Sequence, residues 1–274
     1  MRVFVLALLP LVLFSGSAEV AEPPERTRTL ETKDGIRFGL WSKKLARPAP
    51  TMVVFDPGTP ERLGDPYYQR RYQILVDSGY LCVSVDFPCQ GRDERPGEPK
   101  SLDCWRHRVE HGQVAFNADL NARTSKVLDH LIEQGYTDAG RIVVGGSSSG
   151  GFLALHYAAY DPRIRGGAVV APVTDLAVLQ EFQGMQKHPA VRALALTGQA
   201  GKLADRSIWV LMGDRDARVG TESAIQFARA VWRVSGERGS RTGVELHVVP
   251  EPGGHAHPPG SHEQAADWVL ELNR

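Results

Sequence analysis

The chain has 274 residues, of which 42% are hydrophobic and 23% are charged. This length and apolar content suit one large α/β domain with a substantial core, although two smaller domains would also fit. Basic and acidic residues both number 32, so the formal net charge is zero. A neutral balance without basic clusters argues against nucleic acid or an anionic membrane surface as the main partner.

The N-terminus has the pattern of an export signal. A short positive start is followed by an apolar run over residues 3–14, which is too short for an ordinary membrane span, and small residues lead to Ala18. We predict cleavage after Ala18, a linker over residues 19–26 and one folded domain over residues 27–274. An uncleaved anchor is the alternative. Export implies a secreted or periplasmic protein with no stable membrane insertion after cleavage.

Strand and helix patterns alternate along the rest of the chain. Two opening strands are separated by the hairpin signal Asp34-Gly35. The predicted elements, in order, are strands 27–33, 36–42 and 51–55, helix 66–78, strand 81–86, helix 112–134, strand 141–145, helix 149–160, strand 166–170, strand 207–212, helix 221–234, strand 244–249 and helix 262–272. This order predicts an α/β fold with a mostly parallel sheet of about eight strands between helices. The segment from 172 to about 206 leaves room for a short cap at most.

In the oxidising compartment that export implies, the three cysteines can form a disulfide. Cys82 lies in a predicted buried strand and is expected to be an inert core thiol. Cys89 and Cys104 flank a polar loop, and a bridge between them would close about 15 residues and contribute ~3 kcal/mol. Three pairings are open, and loop placement favours Cys89–Cys104. None of the cysteines has metal-site spacing, and we predict neither a metal nor a cofactor.

A serine framed by glycines lies between a predicted strand and a predicted helix. Among the three consecutive serines, Ser148 has a glycine two residues before it, Gly146, and two residues after it, Gly150. The pattern G-x-S-x-G is typical of a strained strand-to-helix turn that exposes a serine hydroxyl, and the glycines permit the close approach of the backbone. Ser148 is therefore the candidate nucleophile. The alternative is a flexible loop of serine and glycine.

A serine nucleophile needs a histidine base that is oriented by a carboxylate, and here the chain order should be nucleophile, acid, base. Asp216 follows the next-to-last strand in the spacing Gly-x-x-Asp-x-x-Val, whereas Asp214 fits a turn-stabilising role. His255 follows two glycines after the last strand and is the candidate base. His257 lies in a proline-rich stretch, and His247 suits strand packing. The pair His255-x-His257 could also ligate a metal, but no third ligand has suitable spacing.

Backbone N–H groups should meet the oxyanion of an acyl-transfer intermediate. We predict that the residue after the nucleophile, Ser149, supplies one of them. Thr59, which follows Gly58 in the turn after the third predicted strand, is the candidate for the second, the alternative being a plain Pro-Gly turn. Tyr67 and Tyr68 are candidate pocket residues, although such residues more often pack at the start of a helix.

The motifs around Ser148, Asp216 and His255, in this order, resemble those of serine hydrolases of the α/β-hydrolase family. Residues 138–146 and 160–164 are similar to its dienelactone-hydrolase-like branch, which includes acetyl esterases and the catalytic domains of prolyl-oligopeptidase-type peptidases. The resemblance covers about residues 27–272. It implies an α/β-hydrolase fold in which Ser148 is the nucleophile, His255 the base and then the acid, and Asp216 the orienting carboxylate.

The chain departs from that branch at two points. Pro57-Gly58 replaces the usual His-Gly pair, which leaves the second oxyanion donor open, and serine replaces the cysteine nucleophile of dienelactone hydrolases proper. We expect an exported serine esterase acting on small-molecule, short-acyl esters. The alternatives are a small peptidase or amidase, and a catalytically silent binding protein with this fold. The oligomeric state is not indicated.

Overall fold

A computed structural model describes residues 27–43, 48–56, 58–113 and 116–274. The predicted signal segment and linker, residues 1–26, lie outside the described residues. Among the helices that are described, none combines the length and the hydropathy that a membrane span requires.

The described strands form one eight-stranded sheet in the order β1-β2-β4-β3-β5-β6-β7-β8. The strands are β1 (Arg28–Glu31), β2 (Arg37–Trp41), β3 (Ala49–Phe55), β4 (Leu81–Val85), β5 (Thr137–Ser147), β6 (Ile164–Val170), β7 (Ser207–Gly213) and β8 (Gly243–Val249). Strand β2 is antiparallel to both of its neighbours, β1 and β4, and all other neighbouring strands in the sheet, including β3, pair in parallel. The sequence-based prediction of a mostly parallel sheet of about eight strands is confirmed.

Helices flank this sheet, because neighbouring parallel strands are joined by crossover connections that usually contain a helix. They are α1 (Pro66–Asp77), α2 (Ser101–Glu110), α3 (Phe116–Glu133), α4 (Ser148–Tyr160), α5 (Pro189–Leu194), α6 (Ala200–Leu203), α7 (Thr221–Arg238) and α8 (Ser261–Leu272). Helix α1 packs against α8, and α3 packs against α4. The segment between β6 and β7 contains only α5, α6 and single 3-10 turns, which agrees with a short cap at most.

The central strands are buried on both faces and therefore have continuous apolar sequences. Val53, Val54 and Phe55 of β3 are fully buried, and so are Val143 and Val144 of the adjacent β5. The pairing of β3 with β5 brings Phe55 opposite Gly146. This register places the carboxyl ends of β3 and β5 side by side.

Helix α2 is absent from the predicted elements, because the residues around it were interpreted as a polar loop. Its side chains Cys104, Trp105 and Val109 are buried. The guanidinium of Arg108 on the same helix is buried as well, and it forms ion pairs with Asp93 and Glu98. An arginine on the inner face of a helix obscures the apolar periodicity by which a helix is normally recognised.

The structure joins Cys89 to Cys104 by a disulfide, which is the pairing favoured from the sequence. The bridge ties the loop after β4 to helix α2. Cys82 is a free, buried thiol on β4, and burial raises its pKa. A thiol that stays protonated is a poor nucleophile, which agrees with the expected inert core cysteine.

A buried histidine makes the stability of the fold depend on pH. His156 on α4 is 7% exposed, and its Nε2 lies 2.9 Å from the carbonyl oxygen of Leu194 at the end of α5. Burial lowers the pKa of His156 to about 4. In the unfolded chain this imidazole has a pKa of about 6.5, so between these pH values the unfolded state binds a proton that the folded state does not.

Acidification from pH 7.5 to pH 4 is therefore expected to lower the free energy of unfolding through His156 by about 3 kcal/mol. This contribution is fully present above the unfolded pKa and is lost as the pH falls toward the folded one. The variant His156→Gln cannot titrate, so its stability should fall by that much less over the same range. Urea unfolding at several pH values measures the difference. Parallel curves for the two proteins would contradict the assignment.

Candidate active site

Three side chains from distant parts of the chain meet at the carboxyl end of the sheet. Ser148 follows β5, Asp216 follows β7 and His255 follows β8. The Oγ of Ser148 lies 3.1 Å from Nε2 of His255, whose Nδ1 lies 2.7 Å from Oδ2 of Asp216. The arrangement suits a neutral imidazole that donates its Nδ1–H to the carboxylate and accepts the serine hydroxyl proton at Nε2.

Ser148 occupies a strained turn between β5 and α4. Its φ is +52°, in the left-handed region that residues other than glycine seldom adopt. The N–H of Ser148 donates to the carbonyl oxygen of Ala171 at 3.1 Å, and its own carbonyl accepts from the N–H of Val173 at 2.9 Å. The segment after β6 therefore holds the turn, and the hydroxyl points toward the base.

The glycines on either side of Ser148 permit close backbone contacts, as predicted. A Cβ at Gly146 would lie 2.6 Å from the carbonyl oxygen of Phe55, and a Cβ at Gly150 would lie only 1.6 Å from the same oxygen. Neither distance is sterically allowed, so the turn fits against the end of β3 only with glycine at both positions.

Asp216 is buried and strongly hydrogen-bonded. Its Oδ1 accepts from the backbone N–H groups of Arg218 at 3.0 Å and Val219 at 3.1 Å, while Oδ2 contacts His255. Burial acts to raise the pKa of the Asp216 carboxyl, but the bonds from His255 and the two N–H groups outweigh it, and the pKa lies below its usual value. The group is therefore an ionised carboxylate that holds the ring of His255.

The alternative acid, Asp214, links two loops. Its Oδ1 accepts from the N–H of Glu251 at 2.9 Å, which joins the loop after β7 to the loop after β8. The two aspartates have different partners, although only one residue separates them. The spacing argument that favoured Asp216 over Asp214 agrees with these contacts.

The three histidines considered as bases also have different surroundings. His247 lies on β8, where its Nε2 is 2.7 Å from Oε1 of Glu245 and its ring packs beside Trp209. His257 faces an interior cavity that His262 also lines. Of these three histidines, His255 is the one that contacts both Asp216 and Ser148.

The two predicted oxyanion donors lie in different elements, Ser149 on helix α4 and Thr59 before a 3-10 turn. Ser149 is the second residue of α4, and the first N–H groups of a helix have no partner within it. Thr59 directly follows Gly58, whose φ is +77° and whose carbonyl oxygen accepts from the N–H of Phe87 at 2.9 Å. Pro57 lies outside the described residues. The donor roles of Ser149 and Thr59 stay predictions.

The two candidate pocket tyrosines differ in exposure. Tyr67 is 59% exposed, and its hydroxyl accepts from Nη2 of Arg71 at 2.5 Å. Tyr68 is buried, and the guanidinium of Arg62 lies over its ring at 4.9 Å. The surroundings of Tyr68 favour helix packing, which was the alternative interpretation, while a pocket role for Tyr67 stays a prediction.

A group of buried polar residues beside the turn was missed by the sequence analysis. Asp56 at the end of β3 accepts hydrogen bonds from Ser147, Arg71 and Tyr72. The only signal in the sequence was an aspartate directly after a buried strand, which is also common in ordinary turns. Nothing in the spacing of these residues indicates that they meet.

Comparison with solved structures shows the same fold in enzymes of low sequence identity. Porphyromonas gingivalis dipeptidyl peptidase 4 superposes with a TM-score of 0.65 at 16% identity over 92% of this chain and 36% of that one. A cold-adapted esterase from an Arctic intertidal metagenomic library gives 0.63 at 17% identity, with 90% and 93% covered. A Klebsiella pneumoniae protein assigned as a dienelactone hydrolase gives 0.62 at 17%, with 90% and 96% covered.

The present chain spans about a third of the length of the first peptidases that it matches. A search of curated proteins gave no significant match. The sequence model of the alpha/beta hydrolase family matches residues 53–258, which include all three side chains of the site. The chain therefore belongs to the alpha/beta hydrolase family.

Proposed function

We propose that this protein is a serine hydrolase that cleaves small, short-acyl carboxylic esters through an acyl-enzyme on Ser148. The observation that carries the proposal is the continuous hydrogen-bonded series from Asp216 through His255 to the hydroxyl of Ser148. A serine hydroxyl is a weak nucleophile, and this series provides the base that it needs together with the carboxylate that orients the base.

In the acylation step, Oγ of Ser148 attacks the carbonyl carbon of the ester while its proton passes to Nε2 of His255. Asp216 stabilises the imidazolium that results. The oxyanion of the tetrahedral intermediate accepts hydrogen bonds from the N–H groups of Ser149 and Thr59. The C–O bond to the alcohol then breaks, and His255 gives its proton to the departing oxygen.

Deacylation repeats these steps with water. His255 takes a proton from the water molecule, whose oxygen attacks the acyl carbon. When the second intermediate collapses, the bond to Oγ of Ser148 breaks, and His255 returns the proton to that oxygen. The products are a carboxylic acid and an alcohol, and no cofactor takes part.

The preference for a small, short-acyl substrate is supported by the short cap and the open position of the base. The side chain of His255 is 30% exposed, and only short helical turns lie between β6 and β7. A small ester can reach such a site without the opening of a long lid. Peptidases and esterases both occur among the structural neighbours, and a panel of matched esters and amides distinguishes the two activities.

We also propose that the protein works in an oxidising compartment outside the cytoplasm. The bridge between Cys89 and Cys104 supports this location, because cytosolic thiols are normally kept reduced. The signal-like pattern that precedes Ala18 supports it independently.

The test of the ester proposal is a panel of matched substrates. We expect kcat/KM for p-nitrophenyl acetate and butyrate to exceed that for the corresponding p-nitroanilides by about 10³-fold or more, because an amide requires a better-placed proton donor for its leaving nitrogen. Aminoacyl and prolyl p-nitroanilides complete the panel. Turnover of one of them at a rate close to that of the esters would favour the peptidase alternative and contradict the ester proposal.

A further inference from the structure

The carboxylate of Asp56 accepts hydrogen bonds from two sides. Its side chain is 4% exposed at the end of β3. One oxygen, Oδ1, accepts from the backbone N–H of Ser147 at 2.6 Å and from the Oγ of Ser147 at 2.8 Å. The other, Oδ2, accepts from Nη1 of Arg71 at 3.2 Å and from the hydroxyl of Tyr72 at 2.5 Å. One oxygen thus bonds to the serine turn and the other to helix α1.

Ser147 is the residue at which β5 ends and the strained turn begins. Its backbone is extended, with φ −127° and ψ 155°, while the next residue, Ser148, has a φ of +52°. Such a change of backbone conformation persists only where the surroundings determine it. The N–H of Ser148 donates to Ala171, and its carbonyl accepts from Val173. The preceding N–H, that of Ser147, donates to Asp56.

Arg71 holds the carboxylate in place. Besides its bond to Asp56, its Nη1 donates to the Oγ of Ser147 at 2.9 Å, so that hydroxyl accepts from Arg71 and donates to Asp56. Burial acts to lower the pKa of Arg71, but the charge and hydrogen bond of Asp56, together with the hydroxyls of Tyr72 and Tyr67, outweigh it, and the pKa lies above its usual value. The buried ion pair therefore has a defined geometry around the backbone of Ser147.

The cavity beside this ion pair is too small to receive a substrate group. Its volume is about 30 Å³, and its lining includes Asp56, Arg71, His257 and His262. Nδ1 of His257 is buried, with no hydrogen-bond partner among the described residues. A cavity of this volume has room for one or two water molecules next to its polar side chains. The cluster is thus a supporting structure behind the serine turn and not a second binding site.

We propose that Asp56 is a positioning residue for the nucleophile, acting through the backbone N–H of Ser147. The inference rests on the proposed function, since it needs Ser148 to be the attacking group. Asp56 sets the position from which Oγ of Ser148 approaches the carbonyl carbon and does not itself touch the substrate. Loss of the bond should therefore slow the chemical step and leave substrate binding almost unchanged.

The experiment compares three single variants in the hydrolysis of p-nitrophenyl acetate. Asp56→Ala removes the acceptor, and we expect kcat to fall by about 30-fold or more with KM within about threefold, because a small displacement of a reacting atom is costly. Asp56→Asn keeps an amide oxygen that can accept from Ser147, and it should recover kcat to within about tenfold of the wild type. Tyr72→Phe removes a bond to the same carboxylate without touching the turn, and kcat should change by less than about threefold.

A double variant keeps the proposal falsifiable if Asp56→Ala does not fold. Asp56→Leu/Arg71→Met replaces the buried ion pair by apolar side chains, a change that folded proteins often tolerate. It should fold and still lose kcat as Asp56→Ala does. Wild-type kcat in a folded variant without the acceptor overturns the inference, and so does an Asp56→Asn variant as impaired as Asp56→Ala. Failure of the wild type to hydrolyse any ester would instead contradict the proposed function.

Discussion

Replacement of Ser148 by alanine is expected to lower kcat/KM toward a short-acyl ester by about 10⁴-fold or more. The reason is that the variant has no oxygen within reach of His255 on which an acyl-enzyme can form. The residual rate should come from oriented binding and from the backbone donors alone. Stopped assays with high enzyme concentration, after removal of trace contaminating hydrolases, measure a loss of this size.

The neighbouring serines provide matched controls for this variant. Ser147→Ala keeps the backbone N–H that donates to Asp56. Ser149→Ala keeps the backbone N–H that is predicted to donate to the oxyanion. Both should therefore keep kcat/KM within about tenfold of the wild type. A loss in Ser149→Ala equal to that expected for Ser148→Ala, with Ser148→Ala itself active, would place the nucleophile on another serine.

Loss of the base should have an effect of nearly the same size. His255→Ala leaves Ser148 without a proton acceptor, and we expect kcat to fall by about 10³- to 10⁴-fold. Asp216→Asn should cost about 10⁴-fold, because an amide at this position can favour the tautomer in which Nε2 carries the proton and cannot accept one from the serine. Steady-state kinetics over pH 6 to 9 would measure both losses.

Two residues near the base serve as controls for these variants. Asp214 bonds to the N–H of Glu251, and His247 bonds to Glu245 on β8, so neither contacts Ser148. Asp214→Asn and His247→Ala should keep kcat within about threefold. If instead Asp214→Asn were inactive while Asp216→Asn worked normally, the assignment of the orienting carboxylate would be wrong.

The parts of the site that follow local rules could be predicted from the sequence. The glycines around Ser148 and the spacing of Asp216 each reflect a steric demand of one short segment, so they are visible without knowledge of distant contacts. The order of strands and helices was also readable, because the apolar runs of buried parallel strands are distinctive. The predicted helix 149–160 and strand 207–212 agree with α4 and β7 to within one residue, whereas β5 extends beyond the predicted strand 141–145 at both ends.

The features that depend on how distant segments align could not be predicted. Asp56 meets Ser147 because β3 lies beside β5 with Phe55 opposite Gly146, and the strand order that produces this pairing is not written in any local pattern. Arg71 completes the group only because α1 brings its guanidinium to Asp56 and Ser147. Helix α2 was missed for a related reason, since its buried Arg108 has acidic partners outside the helix.

Mass spectrometry after reaction with a serine-directed fluorophosphonate tests the role of Ser148 most directly. The account predicts one adduct per chain, located by peptide mapping on residue 148, with no adduct on the Ser148→Ala variant. Absence of labelling in a folded wild-type protein, or an adduct on Ser147 or Ser149, would contradict it.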